Sequence, residues 1–172
     1  MIRRTFLKSM GTISAMVLVP DMLMAAHKID TSLMIKPLEK TAAEWQQLLT
    51  RDQFYILFEE GTERAGSSPL DKEKREGTFI CAACYLPLFE SRTKYNSGTG
   101  WPSFWEPIAD RVGTKRDWKL AFLRLEYHCA RCGGHQGHVF DDGPQPTGKR
   151  YCNNGLALRF VPAEEDLPAL RV

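Results

Sequence analysis

The 172-residue sequence lacks an excess of either charge, a long apolar run, internal repeats and low-complexity segments. Its net charge is only +2, and residues 1–26 hold Arg3, Arg4 and Lys8 against Asp21 alone, which leaves 20 basic and 20 acidic side chains in the remaining 146 residues. A neutral body with no basic stripe cannot neutralise phosphates, which excludes nucleic acid as a main partner. The apolar stretch from Ile13 to Val19 is far shorter than the roughly 20 residues a bilayer span needs, and Asp21 interrupts it. Five of the six methionines fall in the first 24 residues and only Met34 lies beyond. The remainder, 43% hydrophobic and 26% charged over the whole chain, is ordinary globular usage and argues for one compact domain rather than disorder, collagen or a coiled coil.

The N-terminus has the layout of an export signal: Arg3-Arg4-Thr5-Phe6-Leu7-Lys8, an apolar run, a turn at Pro20-Asp21 and small residues at Ala25-Ala26. The paired arginines followed by Phe-Leu-Lys resemble the twin-arginine signal, which implies export of an already folded chain, cleavage near Ala26, a periplasmic location and no stable membrane anchor afterwards. Residues 27–40 show no apolar period, contain Pro37 and read as a linker, so the domain is expected over 41–172.

Order is expected to begin at Thr41. Thr41 and Glu44 form a T-x-x-E capping box ahead of Trp45, Leu48 and Leu49, which predicts a helix over Ala42–Leu49, with a second short helical stretch through Gln53–Phe58 before Gly61. From Gly77 onward short apolar runs are broken by Gly, Pro, Asn and Asp, the pattern of a mainly β domain. Strands are expected at Thr78–Ile80, Leu86–Phe89, Ala121–Tyr127, Val139–Phe140 and Leu156–Val161, packed as two antiparallel sheets with short N-terminal helices at one edge.

Four of the five cysteines form two CxxC pairs, Cys81/Cys84 and Cys129/Cys132, with 44 residues between them. Two such knuckles supply a tetrahedral four-thiolate site for a structural Zn2+. Two disulfides are the rival reading, but closing a four-residue loop stabilises by about 2 kcal/mol in the chain-entropy formula, against roughly 10–16 kcal/mol for structural zinc in small peptides. A thioredoxin-like redox CxxC needs a βαβ setting that neither pair has. His128 and His135 lie close enough in sequence to compete as ligands, and a closed four-thiolate site would leave the chemistry elsewhere.

The fifth cysteine, Cys152, lies in Lys149-Arg150-Tyr151-Cys152-Asn153-Asn154, just before the last expected strand. A lone cysteine is more often a small buried hydrophobe than a nucleophile. Arg150 two residues away could favour its thiolate, and His135 and His138 after the second knuckle bring acid–base capacity near neutral pH.

These segments carry a resemblance. Gly98-Thr99-Gly100-Trp101-Pro102-Ser103-Phe104, Cys132-Gly133-Gly134-His135, Gly137-His138-Val139-Phe140-Asp141-Asp142-Gly143-Pro144, and Arg150-Tyr151-Cys152 with Asn154 resemble the signatures of the methionine-R-sulfoxide reductase B family over about Thr41–Phe160. Such enzymes return methionine sulfoxide to methionine. The resemblance implies that Cys152 attacks the sulfoxide sulfur, that His135, His138 and Asn154 orient substrate and protonate the departing oxygen, and that Trp101 packs on the substrate methyl group. It also implies supporting roles for Arg150 and Asp142, structural zinc on Cys81, Cys84, Cys129 and Cys132, and oxidised peptides or proteins as substrates.

Two positions depart from the family pattern. Thr99 stands where many members carry a resolving cysteine, which leaves no spare thiol and implies an external thioredoxin-like reductant; Gly155 stands where serine is common. Two other functions compete. A zinc-stabilised binding module would show an unreactive Cys152, and an exported disulfide oxidoreductase cycling Cys81 and Cys84 would lack tightly held zinc.

Overall fold

The computed structural model describes residues 35–118 and 123–172. The export signal expected over 1–26 and most of the 27–40 linker lie outside them; residues 35–40 carry no regular element, and the Leu38 amide donates to Arg131 O at 2.7 Å. Among the described residues no helix is long and apolar enough to cross a membrane.

Two helices open the domain, α1 (Ala42–Leu48) and α2 (Arg51–Phe58), each started by a complete capping box. Thr41 accepts from the Glu44 amide while the Glu44 carboxylate accepts from the Thr41 amide at 2.7 Å, as the T-x-x-E pattern predicts. Thr50 and Gln53 repeat the device, so α2 begins two residues earlier than the periodicity suggests. Trp45 stacks on Phe58 with ring centroids 4.9 Å apart, fastening the two short helices to each other.

Nine strands follow among the described residues: β1 (Gly77–Cys81), β2 (Pro87–Glu90), β3 (Lys94–Tyr95), β4 (Ser103–Phe104), β5 (Val112–Asp117), β6 (Arg124–Cys129), β7 (His135–Phe140), β8 (Arg150–Asn153) and β9 (Leu158–Pro162). They form two antiparallel sheets, ordered β2-β1-β9 and β3-β4-β8-β7-β6-β5. The sheets meet through aromatic side chains. Phe89 of β2 stacks on Phe104 of β4 at 4.2 Å, Phe79 of β1 meets the same ring edge-on at 4.9 Å, and all three rings are fully buried. Edge and stacked aromatic pairs of this kind add about 0.5–1.5 kcal/mol beyond area burial.

The mainly β, two-sheet architecture is the expected one, and several boundaries differ. The strand expected at Ala121–Tyr127 is Arg124–Cys129, with Ala121 and Phe122 outside the described residues. Its leucines are not core: Leu123 and Leu125 are 50% and 38% exposed, whereas Glu126 on the opposite face is 2% exposed. Tyr127 and Cys129 are buried on the face that Leu125 shares, so that face is covered at one end of the strand and open at the other. Leu156 lies in a tight 3-10 turn, Gly155–Ala157, rather than in the last strand. The buried Glu63 carboxylate explains this, because it accepts the Gly155 and Leu156 amides at 2.6 and 2.9 Å and withdraws them from any ladder. Cys152 lies ahead of the last strand, β9, as expected, and is itself within β8, between β4 and β7.

The closest approach in the larger sheet is at Gly137, paired with Asn153, where a Cβ would lie 1.9 Å from Cys152 O. No side chain fits there without separating β7 from β8. Gly137→Ala is therefore expected to destabilise the fold by about 3 kcal/mol or more, above the usual overpacking range. A drop in denaturation midpoint with an unchanged m-value would show it, and a wild-type midpoint would contradict it.

Candidate functional site

Register alone assembles the centre of the site. Tyr95, Ser103, Cys152, His138, Glu126 and Lys115 are paired in succession across the six strands of the larger sheet. Directly paired residues project from one face, so the thiol, an imidazole and a carboxylate stand side by side. Asp117 and Arg124, paired one step along β5 and β6, share that face.

His135 and His138 are three residues apart, and on a regular strand they would point to opposite faces. A β-bulge prevents this: Tyr127 pairs with Gly137 and His128 with His135, so Gln136 is the extra residue on β7. The two rings consequently lie 5.4 Å apart. Each is met by a carboxylate. His138 Nε2 is 2.8 Å from Asp117 Oδ2, an oxygen that also accepts from Arg124 at 2.6 Å. His135 Nδ1 is 3.1 Å from Glu126 Oε1, an ion-pair distance without hydrogen-bond alignment. Burial holds the His135 imidazole below its ordinary pKa against the opposing pull of Glu126, so this ring is neutral at pH 7.

Burial pushes the half-buried Cys152 thiol above its ordinary range, and the Arg150 charge and the Thr99 hydroxyl only partly offset it. Arg150 thus supplies the positive charge expected from the sequence, yet desolvation outweighs it. Arg150 is 8% exposed, its guanidinium held by Asp142 through Nε and Nη2 at 2.7 and 2.8 Å and stacked on the Phe140 ring at 4.3 Å. Those hydrogen bonds hold the Asp142 carboxyl below its usual pKa.

A cleft of about 130 Å³ opens over Cys152, walled by Trp101, His138, Phe140, Asn154, Thr62 and Arg124. One strap positions two of these walls. The Glu63 carbonyl accepts from Trp101 Nε1 at 3.2 Å, and the Glu63 amide donates to Asn154 Oδ1 at 3.0 Å. Asn154 Nδ2 meanwhile donates to Gln136 O at 3.1 Å. Of the seven candidate catalytic and substrate-binding residues, Cys152, His138, Trp101 and Asn154 line the cleft, while His135, Arg150 and Asp142 do not. A larger cleft of about 850 Å³, between Pro69, Tyr85, Phe160 and Arg171, holds none of the candidates. Chemistry favours the smaller one, which contains the only cysteine outside the four-sulfur cluster described next.

Cys81 ends β1 and Cys84 follows it, Cys129 ends β6 and Cys132 follows it, and the four sulfurs lie within 4.8 Å of one another. Two of the separations cross between the knuckles, 3.7 Å for Cys81–Cys132 and 3.5 Å for Cys84–Cys129. Four sulfurs placed tetrahedrally about 2.3 Å from one ion stand roughly 3.8 Å apart, whereas a disulfide needs about 2.05 Å. The spacing fits a shared metal ion and not two CxxC disulfides, and all five cysteines are free. Neither His128 nor His135 belongs to the cluster. Burial, reinforced by the neighbouring thiols, raises the Cys81 pKa well above normal, a cost that a divalent cation would reverse.

The sequence reading passed over Glu126, Asp117, Glu63, Gln136 and Asn153. Only the register and the bulge reveal the two carboxylates, because their positions on β5 and β6 acquire meaning through pairing with β7. Glu63 could have been found only from its contacts, made 91 to 93 residues away along the chain.

Residues 49–162 match the SelR domain family. The chain is 50% identical over 131 residues to the peptide methionine sulfoxide reductase MsrB of Methanosarcina barkeri, covering 76% of this chain and 92% of that protein. It is 49% identical over 122 residues to the MsrB of Leptospira interrogans, covering 70% and 93%, and 45% identical over 131 residues to that of Pseudomonas putida W619, covering 76% and 98%. The SelR match runs from the end of α1 to the end of β9 and so contains the sulfur cluster, the bulge and the cleft. The chain belongs to the SelR domain family, that of the methionine sulfoxide reductases B.

Proposed function

We propose that this chain reduces methionine-R-sulfoxide in oxidised peptides or proteins, with Cys152 as nucleophile. The observation that carries the reading is the pairing of Cys152 with His138 across β8 and β7, beneath a cleft walled by Trp101. The thiolate attacks the sulfoxide sulfur and bonds to it while the oxygen takes up two protons and leaves as water; water then attacks the Cys152 sulfur, the S–S bond breaks, methionine leaves, a proton is released and Cys152 becomes a sulfenic acid. A sulfoxide oxygen is a poor leaving group unless protonated, so an acid must stand beside the thiol. His138 serves as that acid, with its ring oriented by Asp117. His135, neutral and buried, fixes the inner wall. Trp101 receives the substrate methyl group, Asn154 holds the rim, and Arg150 with Asp142 supports the thiolate from behind.

The sulfenic acid meets an external thiol. With Cys81, Cys84, Cys129 and Cys132 on the metal and Thr99 beside Cys152, no internal thiol can form a disulfide with it. One thiol of a thioredoxin-like reductant forms a mixed disulfide and releases water, and its second thiol frees Cys152. The metal is zinc, held structurally by the four thiolates, since a closed tetrahedral site offers no open position. The twin-arginine leader exports the folded, metal-loaded chain, which makes the enzyme a periplasmic repair factor.

Dithiothreitol-driven reduction of separated R and S epimers of a peptide methionine sulfoxide, with and without Cys152→Ser, tests the reading. R-selective turnover lost in the variant is the expected result; no turnover from a folded, metal-loaded sample would leave a zinc-stabilised binding module as the better account. The raised Cys152 pKa has its own signature. Its thiolate fraction rises about tenfold per pH unit below the pKa, so iodoacetamide alkylation of the substrate-free protein should still be climbing between pH 7 and 8. Arg150→Ala should slow alkylation about three- to tenfold at pH 7.5, because the charge that favours the thiolate is lost. A plateau below pH 8 would contradict this. Metal analysis should find one zinc per chain. Because structural zinc contributes on the order of 10 kcal/mol and whole domains are stable by about 5–15 kcal/mol, a strong chelator should abolish the cooperative thermal transition.

A further inference from the structure

Gln136, the extra residue of the β7 bulge, is fully buried, and each of its side-chain polar atoms has a partner. Its side-chain Nε2 donates to Cys81 Sγ at 3.6 Å, with Gly134 O at 3.5 Å as a second acceptor. Its Oε1 accepts from Asn153 Nδ2 at 3.4 Å. Its main-chain carbonyl accepts from the Asn154 amide at 2.8 Å and from Asn154 Nδ2 at 3.1 Å. Asn153, also fully buried, accepts from Tyr127 Oη at 2.6 Å. One side of Gln136 therefore faces a sulfur of the metal cluster, and the other holds the two residues that follow Cys152.

An amide can point either way in such a position, and the sulfur decides which. A metal-bound thiolate is an anionic acceptor, so it attracts the amide NH2 and repels the carbonyl oxygen. With Nε2 turned to Cys81, Oε1 is presented to Asn153 and completes the hydrogen bonding of a residue that has no access to water. Gly137 next in sequence removes any cushion between the strands, since even a Cβ there would meet Cys152 O at 1.9 Å. A shift of Gln136 is thereby passed directly to β8.

We infer that Gln136 is a positioning residue that joins the metal thiolate of Cys81 to the strand carrying Cys152, so that metal binding and substrate binding stabilise each other. The inference rests on the proposed function for its substrate arm and on the four-sulfur cluster for its metal arm. Coupling of two binding events is reciprocal, so it can be read from the metal side. Loss of a hydrogen bond that supports a metal ligand typically costs 10- to 100-fold in affinity.

The test uses the full zinc-loaded chain, with Gln136→Met, which keeps the volume and loses the donor, and Gln136→Glu, which keeps an acceptor for Asn153 and sets a negative charge against the thiolate. Zinc release to a chromophoric chelator should be about 10- to 100-fold faster in Gln136→Met and faster again in Gln136→Glu, and the thiolate-to-metal charge-transfer band of the cobalt-loaded protein should shift in both. In a Cys152→Ser background, a saturating peptide containing methionine-R-sulfoxide should slow zinc release when Gln136 is present and leave it unchanged in Gln136→Met. The substrate arm with Gln136 intact requires no Gln136 variant to fold. Wild-type release rates in both variants overturn the tie to the metal. Equal slowing by peptide with and without Gln136 overturns the coupling. A peptide that fails to bind the Gln136 chain, followed by tryptophan fluorescence, overturns the reductase reading and the coupling with it, while the peptide-free release rates still decide the metal arm.

Discussion

Two histidines three residues apart can serve one site on a strand only if the strand gains a residue between them, and the bulge at Gln136 is that residue. Without it, the alternation of side chains would send one ring to the face of Cys152 and the other into the aromatic layer between the sheets. With it, both rings reach the thiol face, and the extra side chain is turned inward among Cys81, Asn153 and Gly134. The remaining features adapt to this one irregularity. Gly137 is needed because β7 lies so close to β8, and the Asn153–Asn154 pair closes around the carbonyl and the amide of the inserted residue.

Charge on the site face is arranged around desolvation. Glu126, Asp117 and Arg150 are each under 9% exposed, and each has an oppositely charged or imidazole partner. Unpaired, any of them would cost several kcal/mol. Cys152 is the exception: burial raises its pKa and the positive group nearest it is already committed to Asp142. Such a thiol is guarded at rest. A neutral thiol reacts slowly with peroxides and alkylating agents.

The parts of this protein visible in the sequence are those whose signals are local. Both CxxC knuckles and the capping box at Thr41 depend on residues within a few positions of one another, and the structure places them accordingly. The four strands outside the expected set, β3, β4, β5 and β8, are two to six residues long and largely polar, and their order comes from neighbours rather than from an apolar period. Leu123 and Leu125 misled for the opposite reason, since their alternation is regular but the smaller sheet does not reach them. Glu126 alternates with Leu125 and Tyr127 like any polar-face residue of a strand, yet it is buried beside His135 and so belongs to the site. Long-range partnership of this kind leaves no trace in spacing.

The metal cluster and the proposed export route bear on each other. Cys81, Cys84 and Cys129 are fully buried, and their sulfurs are positioned by the meeting of β1 with β6, elements some 50 residues apart in the chain. An unfolded chain entering an oxidising compartment would expose five thiols, four of them in CxxC pairs that close readily into disulfides. A folded chain with its four thiolates on a metal exposes only the guarded Cys152. On the proposed route, loading the metal before export would protect the cluster and leave a single thiol for the proposed redox chemistry, in keeping with the proposed external reductant, because Thr99 rather than a second thiol stands beside Cys152.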